Sequence, residues 1–416
     1  MSHNIVIIGG GASGMMAAIS AAGQGAAVTL LDPNERLGKK LNITGKGRCN
    51  VTNNCDLDTL LRNVPCNGRF LYSVFSRFNG QDTMEFFEGL GVPLKTERGN
   101  RVFPVSDRAF DISGALEREL RRLRVRIVRD RAVDILLDSD GVCGVKGEKG
   151  LYDAQAVVLA TGGMSYPGTG STGDGYRLAE RLGHTVIEPR GSLVPLVSDD
   201  PCCGKMQGLS LRNVTLTVKD GKGKTVFHEL GEMLFTHFGV SGPLVLSASA
   251  HMRRWDREQY RLSIDLKPGL DEQKLEARVL RDLTESPNKD FDKIVAGLVN
   301  RSMVDVILDR LGIPADLKAN SVTKEQRRHL CALLKNFELA VTGPRPVAEA
   351  IVTAGGIKVG EVQPATMASK LVDGLFFAGE LLDVDAYTGG FNLQIAWATG
   401  RQAGLSAAKY RGCKET

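Results

Sequence analysis

The chain has 416 residues, 42% hydrophobic and 24% charged, with a net charge of +5. That length admits two or three domains with cores of their own, and the composition excludes a disordered, fibrous or disulfide-dense secreted chain. The mild basicity permits contact with a polyanion without demanding it, and the lack of any run of about 18 apolar residues argues against a membrane span.

The first element is a four-residue apolar run, Ile5 to Ile8, which reads as a strand buried on both faces. Gly9-x-Gly11-x-x-Gly14 follows at once, then a small-residue helix from Met15 to Gly23, then a strand from Ala27 to Leu31 that ends in Asp32. Each part of this pattern has a physical task. Gly9 allows a tight strand-to-helix turn, Gly11 lets backbone approach a pyrophosphate, and Gly14 lets the helix pack close to the sheet. The helix start at Ala12 and Ser13 presents free N–H groups to phosphates, and Asp32 is placed to bind ribose hydroxyls. Strand, glycines, helix, strand and acid within about thirty residues predict a dinucleotide site.

Glycines and polar residues dominate Leu41 to Asn53, which reads as a loop laid against a ligand. Lys39, Lys40 and Arg48 are candidates to meet phosphates there. Helices are expected at Arg69–Phe78, Asp82–Leu90 and Asp111–Leu123, with short strands at Val92–Thr96 and Val102–Pro104. Strands at Val125–Val128 and Ala132–Leu137 follow, with a hairpin around Gly141 to Gly150. The arginines from Arg118 to Arg131 read most simply as a solvated helix face and strand edge.

The strand Ala156 to Ala160 ends in Thr161-Gly162-Gly163, which puts bare backbone beside the dinucleotide cleft. A second G-x-G-x-x-G spans Gly168 to Gly173. Its strand stops too early for the tight turn, so it reads as a glycine loop lining the first ligand.

Residues 191–270 alternate like strands and suggest a small antiparallel sheet or barrel, and residues 271–345 carry helical periods. Together they are read as an insertion in a nucleotide-binding domain made of residues 1–190 and 346–416. The returning chain has an apolar strand, Leu375 to Ala378, ending in Gly379-Glu380. Gly389-Gly390 then opens a helix containing Asn392, Leu393 and Gln394, which runs to about Lys409. Glu380 can accept hydrogen bonds from a sugar alcohol chain, and the N–H groups from Gly390 to Leu393 can stabilise charge on a ring carbonyl. Two such edges suit a long ligand, FAD, better than a nicotinamide cofactor. The eight cysteines contain no C-x-x-C pair, so neither a metal site nor a disulfide framework is expected, and the adjacent Cys202 and Cys203 are taken as inert thiols. The N-terminus lacks a basic leader, and the expected location is cytoplasmic.

These motifs resemble the flavoproteins known as BaiN/YhiN-type NAD(P)/FAD-dependent oxidoreductases, or aminoacetone-oxidase-like FAD enzymes. The resemblance rests on Ile7 to Gly14, Gly45 to Asn53, Gly68 to Ser73, Ala160 to Gly163, Leu234 to Pro243 and Gly379 to Gln394. It implies an α/β fold: a glutathione-reductase-like FAD-binding Rossmann domain with an inserted β-barrel-like subdomain and a helical subdomain. It further implies FAD as cofactor, NAD(P)H as reductant and no separate NAD(P)H domain. Family members are linked to bile-acid metabolism, amine oxidation and dihydrouridine formation in ribosomal RNA. The loop Gly45-Lys46-Gly47-Arg48-Cys49 departs from the family's Gly-Gly-Gly-Arg-Cys form at Lys46.

The residues expected to contact FAD are Gly9, Gly11, Ala12, Ser13, Gly14, Asp32, Lys40, Arg48, Cys49, Asn50, Thr161, Gly162, Gly163, Gly379, Glu380, Gly390, Asn392 and Leu393. The expected reaction is reduction of an activated C=C bond. Cys49 is one candidate for the acid that protonates the carbon beside the hydride acceptor, with packing of the flavin loop as the alternative. His237 is the second candidate, with a structural role as the alternative. The substrate is expected to be uridine in ribosomal RNA, or else a small enone or amine. Arg253, Arg254, Arg257 and Arg261, with Trp255 and Tyr260 between them, are candidate RNA contacts, and a solvated strand connection explains them more simply.

Overall fold

A computed structural model describes residues 3–410. The chain forms two compact units: one runs to Ser192 and resumes at Val347, and the other is Leu193–Pro346.

The first unit is built on a five-stranded parallel sheet. Its strands are β1 (Asn4–Ile8), β2 (Ala27–Leu31), β3 (Arg126–Val128), β4 (Ala156–Leu159) and β5 (Leu375–Phe377), in the spatial order β5-β4-β1-β2-β3. Every neighbouring pair is parallel. A sheet covered by helices on both faces needs apolar residues at successive positions, and Ile5 to Ile8 and Ala156 to Leu159 are all buried. An antiparallel meander, Ala132–Asp138, Gly141–Gly147 and Leu151–Asp153, connects β3 to β4. A second small sheet pairs Thr52–Asn53 and Leu94–Glu97 with Arg101–Pro104.

Two helices cross at the sheet centre, α1 (Ala12–Ala22) and α2 (Phe391–Lys409). Their approach is set by missing side chains. A Cβ on Gly400 would lie 2.3 Å from the Ser13 carbonyl oxygen, and one on Gly404 would lie 2.2 Å from that of Ala17. The expected helix Arg69–Phe78 is shorter than its pattern suggested: a 3₁₀ turn over Gly68–Leu71 runs into a helical turn at Tyr72–Phe75.

The second unit contains a seven-stranded antiparallel sheet. Its two edge strands, Phe337–Val341 and Gly343–Pro344, are separated by one residue, so a single run of chain joins both edges and closes the sheet into a barrel. Closure removes the exposed edges that an open sheet would offer for aggregation. Its longest strand is Thr225–Thr236. Gly231 in its middle leaves room for Leu244, whose atoms a Cβ would meet at 3.0 Å. The helices from Glu272 to Lys335 share one hydrophobic core with the barrel, including Leu275, Ile307 and Leu330 against Leu262 and Phe337. Among the described residues no helix is long and apolar enough to cross a membrane. Cys413 lies outside the described residues.

Candidate functional site

In a parallel sheet the carboxyl ends of the strands form the ligand-binding edge. Here that edge carries Gly9 after β1, Asp32 after β2, Thr161 after β4 and Gly379 after β5.

The three glycines of the first motif do three different things. Gly9 adopts φ +109°, and a Cβ there would lie 2.5 Å from the Ala160 carbonyl oxygen. Gly14 has no room either, since its Cβ would sit 1.8 Å from the Gly9 oxygen. Gly11 faces open space, with nothing within 4 Å of where a Cβ would be. That open space lies at the N-terminus of α1, where Gly11 is the N-cap and no side chain caps the free N–H groups. An uncapped helix start beside an open cradle matches what a pyrophosphate requires. Ala12 and Ser13 form the first turn. Asp32 is buried, with one carboxylate oxygen accepting the Gly10 N–H at 2.6 Å and the other the Asn34 N–H at 2.8 Å. Those bonds hold its carboxylate against the glycine turn.

The structure gives Glu380 more partners than the sequence disclosed. Its carboxylate receives the Lys40 ammonium at 2.7 Å, the Thr353 N–H at 2.8 Å and the Ser165 hydroxyl at 3.1 Å. The Lys40 ammonium also donates to the Ser165 Oγ at 2.6 Å. Lys40 was expected to meet phosphate; its charge is instead matched by Glu380. Gly163 is wedged beside this cluster, with its Cβ position 3.0 Å from a Glu380 carboxylate oxygen, and Gly162 adopts φ +74°. Ser165 and Thr353 were not singled out from the sequence, because no local spacing marks them.

Arg48 was also a phosphate candidate. Its guanidinium donates to Asp107 at 2.6 Å and to Glu97, and lies 4.1 Å from the centre of the Phe103 ring. Hydrogen bonds from Arg48 to Glu97, and from Lys95 and Arg48 to Asp107, hold both carboxyls below the usual carboxylate range. Arg48 therefore bolts the loop to the Leu94–Glu97 and Arg101–Pro104 hairpin. Lys39 remains exposed.

The stretch that follows Arg48 ends against α2. Trp397 Nε1 donates to the Val51 carbonyl at 2.9 Å, and a Cβ on Gly390 would lie 2.3 Å from the Thr52 oxygen. Gln394 is spent on structure: its Oε1 accepts from the Thr52 and Thr83 hydroxyls and its Nε2 donates to Phe78. Asn392 clasps the preceding loop through both polar atoms, to the Ala386 N–H and carbonyl. The N-terminus of α2, capped only by Gly390 at φ +99°, keeps its free N–H groups from Phe391 to Leu393. Asp385, fully buried, accepts from the Ser192 hydroxyl at 2.7 Å.

Two polar atoms at this edge are buried and have no hydrogen-bond partner, Asn50 Oδ1 and Thr161 Oγ1. A buried acceptor left unpaired is costly, so such atoms mark places where a ligand completes the network. Together with the Gly11 cradle and the two uncapped helix starts, they fit a long ligand with a phosphate-bearing end and a ring bearing N–H groups.

Cys49 has no exposed surface and adopts φ +59°. Burial pushes its thiol up to about 12. His237 belongs to the second unit, exposed in the two-residue turn between Thr225–Thr236 and Gly239–Ser241, with its ring edge-to-face on Phe238. In the same unit, Trp255 packs on Tyr260 with ring centres 4.8 Å apart, and Tyr260 is buried. Arg254 pairs with Glu258, and Arg257 with Asp256. Tyr260 is thus spent on packing, while Trp255 is half-buried beside it. The second glycine motif is not a tight strand turn, since β4 ends at Leu159; its Thr169 carbonyl accepts from Asn34, next to Asp32.

The family model for the HI0933-like protein Rossmann domain matches residues 3–406. The chain is 34% identical over 413 residues to the 3-dehydro-bile acid delta(4,6)-reductase of Clostridium scindens, covering 98% of this chain and 99% of the relative. It is 30% identical over 415 residues to the ribosomal RNA dihydrouridine synthase of Haemophilus influenzae, covering 98% and 99%. Among solved structures, a 3-ketosteroid-delta4-(5alpha)-dehydrogenase from Rhodococcus jostii RHA1 superimposes with a TM-score of 0.53 at 16% identity, covering 98% of this chain and 97% of that one. At that identity the likeness is one of fold.

Proposed function

Because the chain belongs to the HI0933-like Rossmann family and is an oxidoreductase built on the FAD-binding Rossmann fold, we propose that it reduces a C=C bond activated by a carbonyl. The observation that carries this reading is the end-to-end similarity to two enzymes whose names describe one chemistry on different molecules. A 3-oxo Δ4,6-steroid and a uracil ring both present an electron-poor C=C bond conjugated to a carbonyl. Uridine in ribosomal RNA is the first candidate substrate, and a steroid-like enone the second, the latter favoured by the 34% identity to the bile-acid reductase. NAD(P)H is the proposed reductant.

Bound FAD would supply two-electron hydride chemistry. The protein's own residues do the rest. The α1 N-terminus and the Gly11 cradle take the pyrophosphate, and Asp32 takes ribose hydroxyls. Glu380, its charge balanced by Lys40, takes the sugar alcohol chain, while Asn50 Oδ1 accepts a ring N–H. The N-terminus of α2 favours negative charge at the ring carbonyls. For proton delivery, an acid works best with a pKa near the operating pH. The buried Cys49 thiol keeps its proton too tightly for that, so we assign it to packing the loop.

Two measurements test this. Nucleoside mass spectrometry of ribosomal RNA should show loss of dihydrouridine when the gene is deleted and its return with the wild-type copy. No change in dihydrouridine, together with flavin oxidation on anaerobic addition of a steroid enone to reduced enzyme, would assign the small-molecule substrate. Neither response would sink the reading. Cys49→Ala should keep kcat within about tenfold.

A further inference from the structure

Residues 45–47 form three consecutive left-handed residues, Gly45 at φ +57°, Lys46 at φ +59° and Gly47 at φ +85°. Two of the three are glycines, which adopt this backbone freely; a lysine between them carries the steric penalty that every L side chain meets there. The Lys46 side chain gains no local compensation. It is exposed, and it makes no hydrogen bond or ion pair among the described residues. Its neighbours in the segment behave otherwise: Lys40 is held by Glu380 and Ser165, and Arg48 by Glu97, Asp107 and the Phe103 ring. The loop is itself well held, since Arg48 N–H bonds the Gly45 carbonyl at 3.3 Å and Cys49 N–H bonds that of Thr44 at 3.1 Å.

A strained, unpaired cation on a braced loop, four residues before Asn50 and its unpartnered buried acceptor, has a place in recognition. We propose that Lys46 is a specificity residue, whose ammonium binds an anionic group of the substrate at the lip of the site. This rests on the functional reading above. The ring carbonyls already have the uncapped α2 N-terminus for their charge, which leaves the exposed ammonium to the incoming molecule. The anion is a carboxylate if the substrate is a steroid acid and a phosphate if it is RNA, and both bind an ammonium by the same charge-assisted hydrogen bonds. Ile43 and Phe110, both exposed, lie on the helices packed around this loop and present apolar surface near it.

The test uses oxidised, FAD-loaded enzyme and follows binding by perturbation of the flavin absorbance, so it does not depend on turnover. One arm compares a 3-oxo-Δ4 steroid acid with its methyl ester; the other compares a uridine-containing oligoribonucleotide with free uridine. In one arm, Lys46→Gln and Lys46→Gly should lower the preference for the anionic member by about fivefold or more, and the responding arm identifies the source of the anion. Lys46→Gly should also raise the melting midpoint, because the strain disappears with the side chain. Unchanged preferences in both arms would overturn the assignment. So would an equal weakening of charged and neutral probes, or a shifted flavin potential without any change in affinity. Failure of wild type to reduce either neutral probe after NAD(P)H addition would count against the reductase reading alone.

Discussion

At the scale of single residues, neighbouring positions in one motif carry different burdens, and substitutions separate them. Gly11→Ala adds a methyl group to open space, so the chain should fold with a near-normal melting midpoint before FAD is added. The same methyl would occupy the cradle, and the FAD-to-protein ratio after purification should fall about tenfold. Gly14→Ala would place a Cβ 1.8 Å from the Gly9 oxygen, and is expected to destabilise the fold itself by about 2 kcal/mol or more. Equal behaviour of the two variants would refute this division of labour. For Glu380→Gln, loss of the charge opposite Lys40 should destabilise the unliganded protein by about 1–2 kcal/mol, read in chemical denaturation.

His184 supplies a pH dependence. Its ring is buried, with Nε2 2.8 Å from the Ser369 hydroxyl and Nδ1 3.4 Å from Glu361, and burial holds its pKa below the ordinary value of 6.5. In the folded protein the imidazole therefore stays neutral to lower pH than in the unfolded chain. As pH falls through about 6.5 the unfolded chain binds the proton first, and stability declines until the folded His184 is itself protonated. Denaturation midpoints should drop between pH 7.5 and 5.5 in the wild type and change less in His184→Gln. The Glu361 carboxyl, held low by the Thr185 hydrogen bonds, acts in a separate window below about pH 4.5.

At the scale of elements, the crossing of α1 and α2 depends on absent atoms. Gly404→Leu would drive a side chain into the Ala17 backbone, with an expected loss of about 3 kcal/mol or failure to fold. Since the start of each helix belongs to the ligand edge, any displacement at the crossing should reduce FAD retention as well; retained FAD in a soluble Gly404→Leu protein would contradict this coupling. The barrel illustrates how an element reads differently from sequence and structure. The alternation in residues 191–270 was legible as strands. A barrel was among the expectations, but its closing strands, Phe337–Val341 and Gly343–Pro344, were not legible, because they lie at the far side of a helical stretch, within the segment read as helical.

At the scale of the whole molecule, the parallel sheet joins segments from both ends of the chain, while residues 193–346 fold as a unit with a core of their own. The Rossmann unit was legible from its first forty residues because its determinants are local: an apolar run, glycines at fixed spacing, a helix start and an acid after the second strand. Periodicity likewise located β4, β5 and α2, and the resemblance joined them into one family fold. What the sequence could not state was pairing. Lys40 meets Glu380 across 340 residues, and Thr52 meets Gln394 across 342, and nothing in the local spacing of either partner announces the other. Tertiary structure also decided that Arg48 braces a hairpin and that Cys49 is sealed from solvent. The physical reason is one of range: turn geometry and hydrophobic period act between near neighbours, whereas charge matching and burial depend on which distant segments the folded chain brings together.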